Sequence, residues 1–206
     1  MIFENYFACF ESVISSRICD LIIQDAQQKQ ELTALTKDWQ DNGKDEKDIS
    51  KLYKVRNSSI VWMDDPWLYR EIVPFVRQAN QMCKWGFDTH YSESCQFTKY
   101  GVEQHYNWHQ DSFINPISDP TQRNYGLIRK LSVTVSLADG DSYEGGDLEF
   151  SFRDPYKKED VIQKPEAARK KGSVTVFPSF VWHRVTPVTQ GTRYSLVIWH
   201  MGYPFR

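Results

Sequence analysis

Apolar and polar positions alternate with two different periods along this chain, helical in the first part and strand-like in the second. From Ser12 onward, Val13, Ile14, Ile18, Leu21, Ile22 and Ala26 recur at helical spacing, which predicts a helix from Ser12, as its N-cap, to about Gln30. The aromatic and apolar stretch 1–10 (Ile2, Phe3, Tyr6, Phe7, Phe10) predicts a strand or docking segment ahead of it. Residues 37–51 are polar, with Asn42-Gly43, and read as a loop, while the short alternation over 54–63 predicts a strand. Asp65-Pro66 has the form of a helix start, and Trp67, Leu68, Ile72, Phe75, Val76, Ala79 and Met82 carry the pattern on. Pro74 inside that pattern is expected to kink or interrupt the helix.

After Ser94 short strands are predicted at 95–100, 127–137, 146–152, 173–177, 183–185 and 192–201, separated by Gly, Pro and Asn turns. Loops are expected at 113–125 and at the charged stretch 154–171. The result is a mainly β, α+β chain: a sandwich or barrel over 94–206, with a helical support region over 1–93 packed on the outside of one sheet, in a single domain over 1–206.

Composition narrows the functions available. Lys plus Arg number 25 against 27 for Asp plus Glu, a net charge of −2, so bulk charge gives no reason to expect nucleic acid or a membrane surface. The run Arg169-Lys170-Lys171 is short and reads as a solvated loop. Cys9, Cys19, Cys83 and Cys95 contain no CxxC pair, and no stretch approaches the roughly 18 apolar residues of a membrane helix. Reduced thiols and a cytoplasmic location are expected.

His109-Gln110-Asp111 carries the first chemical signal. On a strand, positions two apart share a face about 7 Å apart, so both side chains can meet one ion. His183 would bring a second imidazole from another strand. Two imidazoles and one carboxylate on one face of an octahedral ion suit non-haem Fe(II). Arg193 follows His183 by ten residues, and 186–191 can turn the chain back into an antiparallel strand. An Arg fork there binds a carboxylate bidentately, and Ser195 on the same face adds a hydroxyl. Taken singly, Arg193 reads better as a surface arginine paired with an acid. His105 and His109 lack the intervening Glu of a zincin helix. His90 and His200 read as satisfied imidazoles, and Trp62, Trp85, Trp108 and Trp182 as core or pocket wall.

Together these residues give a family resemblance over about 55–201. Tyr100 nine residues before His109-x-Asp111, the run 131–137, the turn Tyr143-Glu-Gly-Gly-Asp-Leu148 and the block from Gly172 to Ser195 resemble the Fe(II)- and 2-oxoglutarate-dependent dioxygenases of the prolyl 4-hydroxylase-like type. The turn and the final block most resemble the PKHD-type hydroxylase branch. Residues 55–62 are similar to the strand that such enzymes carry beside the substrate opening. The resemblance implies a double-stranded β-helix (jelly roll), with His109, Asp111 and His183 as iron ligands and Arg193 on the distal carboxylate of 2-oxoglutarate. It also implies that Tyr100 lends its phenol to the co-substrate and that Trp199 walls the pocket. Gly145-Gly146 would allow a tight turn between strands. One difference is that some relatives carry a second Tyr on 131–137, where this chain has only Ser132, Thr134 and Ser136.

The implied reaction couples decarboxylation of 2-oxoglutarate by O₂, with ascorbate as an optional reductant, to hydroxylation of an unactivated C–H bond, releasing succinate and CO₂. The implied substrate is a prolyl residue in a peptide or protein. An oxygenase acting on a free amino acid or small metabolite is the nearest alternative, and a cupin-like metal- or ligand-binding jelly roll without oxygenase activity is the next.

Overall fold

The computed structural model describes residues 5–34, 54–112, 115–153 and 160–205. The expected 37–51 loop therefore lies outside the described residues. Helix α1 spans Ser16–Gln27, shorter than expected at both ends. Its N-cap is Ser15, whose Oγ accepts from the Ile18 N–H at 3.4 Å, while Ser12 sits at φ 49° and donates its own N–H to Ser173. Ser12 therefore belongs to the turn before the helix. Helix α2 spans Pro66–Met82 with Asp65 as N-cap and runs without interruption through Pro74. Pro74 is exposed, so water can reach the Arg70 carbonyl that loses its usual donor, and burial of Leu68, Ile72, Val76 and Ala79 holds the helix together.

The strands are β1 (Ala8–Phe10), β2 (Leu32–Thr33), β3 (Arg56–Asn57), β4 (Ser59–Met63), β5 (Tyr91–Ser92), β6 (Cys95–Tyr100), β7 (His105–His109), β8 (Ile128–Ser136), β9 (Tyr143–Gly145), β10 (Leu148–Arg153), β11 (Asp160–Gln163), β12 (Val174–Pro178), β13 (Trp182–Val185), β14 (Val188–Gly191) and β15 (Arg193–Gly202). Among the described residues they form a large sheet in the order β1-β12-β8-β15-β6-β4-β2, with β5 on β15, and a smaller one in the order β11-β10-β13-β7-β3. Every pairing is antiparallel. This is the expected double-stranded β-helix, and its two sheets enclose a pocket lined from both sides.

The expected strand over 54–63 is two strands on different sheets. Its first part pairs with β7 and its second with β6, so this segment bridges the two layers beside the pocket. Likewise 186–191 does not return β13 onto a neighbour. β13 lies in the smaller sheet and β15 in the larger, and β14 between them pairs with β9. The expected loop 154–171 contains β11, where Val161 and Ile162 extend the smaller sheet beyond β10.

Period-two alternation on the large sheet separates core from site. Leu131, Val133, Val135 and Leu137, with Leu196 and Ile198, join Ile22, Leu68, Ile72 and Val76 of the two helices in one apolar cluster. The opposite face carries Ser132, Thr134, Ser136, Arg193, Ser195 and Trp199. Register pairs Ser195 with Ser136, Trp199 with Ser132 and Arg193 with Tyr100, which places all of them on the pocket side. No helix among the described residues is long and apolar enough to cross a membrane.

Candidate metal centre and co-substrate pocket

His109 closes β7, and His183 lies directly opposite it on β13. Asp111 lies past the end of the strand, not on it as the strand spacing suggested; its N–H donates to the Ser179 carbonyl at 2.8 Å, which turns the carboxylate back toward the imidazoles. Potential ligand atoms of all three side chains lie within 4.8 Å of one another. His109 Nε2 is 3.6 Å from Asp111 Oδ1, and His183 Nε2 is 3.5 Å from Asp111 Oδ2.

Hydrogen bonds on the far side of each ligand set its orientation. His109 Nδ1 lies 2.7 Å from the Asn107 carbonyl and His183 Nδ1 2.9 Å from that of Val181. Carbonyl oxygens only accept, so each Nδ1 carries the proton and each Nε2 lone pair faces the centre. Burial, reinforced by the neighbouring His183, holds the His109 imidazole well below its usual range and therefore neutral. For Asp111 burial acts in the opposite sense, but His183, His109, Arg129 and the Ser132 hydroxyl outweigh it and keep the carboxyl below its usual range. Two imidazoles that present Nε2 to the centre and one carboxylate fit a divalent metal of the Fe(II) kind.

Several contributors were not legible in sequence. Ser132 donates to Asp111 Oδ2 at 2.7 Å, and Ser179 Oγ stands 2.9 Å from Ser132 Oγ. The Tyr106 ring stacks on His109 at 3.5 Å between centroids, and burial pushes its hydroxyl up to about 12. The Arg56 guanidinium lies over the Tyr106 ring, 4.6 Å from its centroid.

Arg193 is 4 % exposed, so it is not a surface arginine. Its Nη1 donates to Ser195 Oγ at 3.2 Å, and Tyr100 lies 5.3 Å from its guanidinium carbon. Among the described residues it has no carboxylate partner. Trp199 forms part of the same wall. Arg129, paired with Glu93, covers one side of its ring at 3.8 Å, and Trp62 packs near it at 6.3 Å. The Trp199 Nε1–H is buried with no acceptor among the described residues. Thr134 lines the pocket on β8.

Gly145 and Gly146 both adopt positive φ, as the expected turn requires. A Cβ on Gly146 would come within 3.0 Å of Arg193 Cδ, so the turn leaves room for the arginine stem. Arg169, read from sequence as part of a solvated loop, fastens this turn by donating to the carbonyls of Gly140, Tyr143 and Gly145 and to Asp147. The remaining imidazoles stand apart. His105 contacts the Glu103 and Lys54 carbonyls and His90 lies tilted against Tyr203, while His200 Nδ1 meets Ser92 and its Nε2 has no partner among the described residues. Trp85 is core, Trp108 lies under Arg184, and Trp182, 49 % exposed, lies outside both the core and the metal pocket and lines a separate surface hollow with Trp108.

The sequence profile of the 2OG-Fe(II) oxygenase superfamily matches residues 95–201. A PKHD-type hydroxylase of Shewanella oneidensis is 33 % identical over 104 residues, which are 50 % of this chain and 40 % of that protein. One of Synechococcus is 39 % identical over 98 residues, 48 % of this chain and 37 % of the relative. The matched stretch thus spans about two fifths of these relatives. Among solved structures, a Pseudomonas putida prolyl-4-hydroxylase superposes with a TM-score of 0.61 at 18 % identity, covering 96 % of this chain and 92 % of the other. A viral collagen prolyl hydroxylase from Paramecium bursaria Chlorella virus, in complex with 2OG, gives 0.60 at 20 % identity, with 97 % of both chains covered.

Proposed function

The chain belongs to the 2OG-Fe(II) oxygenase superfamily, a group of dioxygenase-type enzymes, and from that premise we propose that it hydroxylates a prolyl residue in a peptide or protein. The observation that carries the reading is a pairing within one pocket: a compact His109–Asp111–His183 set and, separately, a buried Arg193 with no carboxylate of its own.

His109, Asp111 and His183 would hold Fe(II), and Arg193 with Ser195 would take the distal carboxylate of 2-oxoglutarate. Bound together, the metal and this co-substrate supply O₂ activation and the oxidising power for an unactivated C–H bond. The chain contributes placement. Carbonyl-bound Nδ1 atoms keep both imidazoles facing inward, and Ser132 steadies the carboxylate. Tyr100 beneath the guanidinium and the unmet Trp199 N–H offer donors to the co-substrate. Val185, Leu148 and Phe177 exclude water from the walls.

Prolyl hydroxylation has the support of the fold-level likeness to prolyl hydroxylases, one of them from Trichoplax adhaerens in complex with a hypoxia inducible factor peptide (TM-score 0.57, 17 % identity, 96 % of this chain and 84 % of that one covered). The bridging segment β3–β4 borders the pocket where a peptide would enter. We also read 1–93 and 94–206 as one domain, since both helices share an apolar cluster with the large sheet. The test is incubation of proline-containing peptides with the protein, Fe(II), 2-oxoglutarate and O₂, followed by mass spectrometry. Gain of one oxygen atom on proline with matching succinate supports the reading. Succinate formed only with free amino acids would move the substrate to small metabolites.

A further inference from the structure

A second arginine lines the same pocket. Arg56 on β3 is 8 % exposed and reaches the cavity from the smaller sheet, whereas Arg193 reaches it from the larger one. Its Nε donates to Ser58 Oγ at 3.1 Å, and its guanidinium lies 4.6 Å from the Tyr106 ring centroid. Stacking occupies the face of the group and leaves the N–H edge of the fork available. No carboxylate pairs with Arg56 among the described residues, and the only carboxylate lining the pocket, Asp111, faces the two imidazoles and Ser132.

Charge balance gives this arrangement its meaning. With neutral imidazoles, the two positive charges of the metal and the one on Arg193 are matched by Asp111 and a doubly ionised 2-oxoglutarate. Among the described residues Arg56 is then left as one buried positive charge without a counter-ion, a costly state unless an anion joins it. We propose that Arg56 is a specificity-determining residue and that the substrate carries a carboxylate, which the Arg56 fork binds while the reacting carbon faces the metal. This rests on the oxygenase reading and goes beyond it. For a peptide, the carboxylate belongs to an acidic residue beside the hydroxylated one or to the C-terminus. The stack of Arg56 on Tyr106 and of Tyr106 on His109 leaves one ring, Tyr106, between the carboxylate-binding guanidinium and a metal ligand.

The experiment is calorimetric titration, without O₂, of protein loaded with Fe(II) and 2-oxoglutarate. Isosteric probe pairs are compared: acetyl-proline against acetyl-prolinamide, acetyl-Asp-Pro-amide against acetyl-Asn-Pro-amide, and acetyl-Pro-Asp-amide against acetyl-Pro-Asn-amide. At least one acidic probe is expected to bind about tenfold more tightly than its neutral twin, as a charge-assisted hydrogen bond implies. Arg56→Gln should erase that preference and leave 2-oxoglutarate affinity unchanged, while Arg56→Lys should keep part of it. Because the probe comparison is made on the wild type, it does not depend on how the variants fold. Absence of any acidic preference in the wild type, including no binding of any probe, overturns the proposal while the oxygenase reading stands. Weakened 2-oxoglutarate binding in Arg56→Gln also overturns it, by assigning Arg56 to the co-substrate. Failure of wild type to bind 2-oxoglutarate removes both readings.

Discussion

The Ser132 hydroxyl donates to Asp111 Oδ2 at 2.7 Å across a turn that sequence alone does not connect. Both residues are buried, and Ser179 links to each of them, through its hydroxyl to Ser132 and through its carbonyl to the Asp111 N–H. Removing such a support loosens the ligand without removing it. Ser132→Ala is expected to lower metal affinity by roughly 10- to 100-fold, with the fold retained. Competition with a chelator of known affinity checks this, and an unchanged affinity would make Ser132 a packing residue only.

Gly146 and Arg193 are coupled by space. With φ at 61° and Arg193 Cδ within 3.0 Å of a built Cβ, Gly146→Ala should displace the arginine stem and strain the turn by about 1–2 kcal/mol. Its signature is weaker 2-oxoglutarate binding with metal affinity little changed, measured by titration of each. Equal loss of both would point to collapse of the turn instead.

The parts of the site that could be read from sequence are those with fixed spacing. His-x-Asp, a distant His and an Arg ten residues later are local signals, and period-two alternation assigns Arg193, Ser195 and Trp199 to one face. The parts that could not be read depend on cross-strand register. Arg56 and Tyr106 meet because β3 pairs with β7, and nothing local to either announces it. The hydrogen bonds of Arg169 to the 140–147 turn are invisible in a basic run that looks solvated. Ser12 misled because propensity proposed a cap where a turn precedes α1, and of the kink or interruption expected at Pro74 the packing of α2 excludes the interruption.

His200 gives the folded state a pH dependence. Burial pushes its imidazole down to about 4, and among the described residues only Nδ1 has a partner, Ser92. The unfolded chain takes up this proton near pH 6.5 and the folded chain only near 4. This contribution is therefore complete above about pH 6.5 and is lost as the pH falls toward 4, by roughly 3 kcal/mol. His109 adds a slope of the same sign, so the comparison is between parent and His200→Gln. The difference between their urea-denaturation free energies should shrink from pH 7 to pH 4.5.

Ile72 is 1 % exposed on the α2 face that covers the large sheet. Ile72→Ala should destabilise the protein by about 2–5 kcal/mol through lost burial and the cavity left behind. Chemical denaturation measures it. A change below about 1 kcal/mol would mean that α2 is not firmly seated on the sheet.

The central claim is that His109, Asp111, His183 and Arg193 form one Fe(II)- and 2-oxoglutarate-binding site. The most direct test is anaerobic titration of 2-oxoglutarate into the Fe(II)-loaded protein, following the weak visible charge-transfer band of the chelate. The band should form in wild type, vanish in His183→Ala, and require far more 2-oxoglutarate in Arg193→Ala. Metal binding without a band, or a band indifferent to Arg193, would contradict the account.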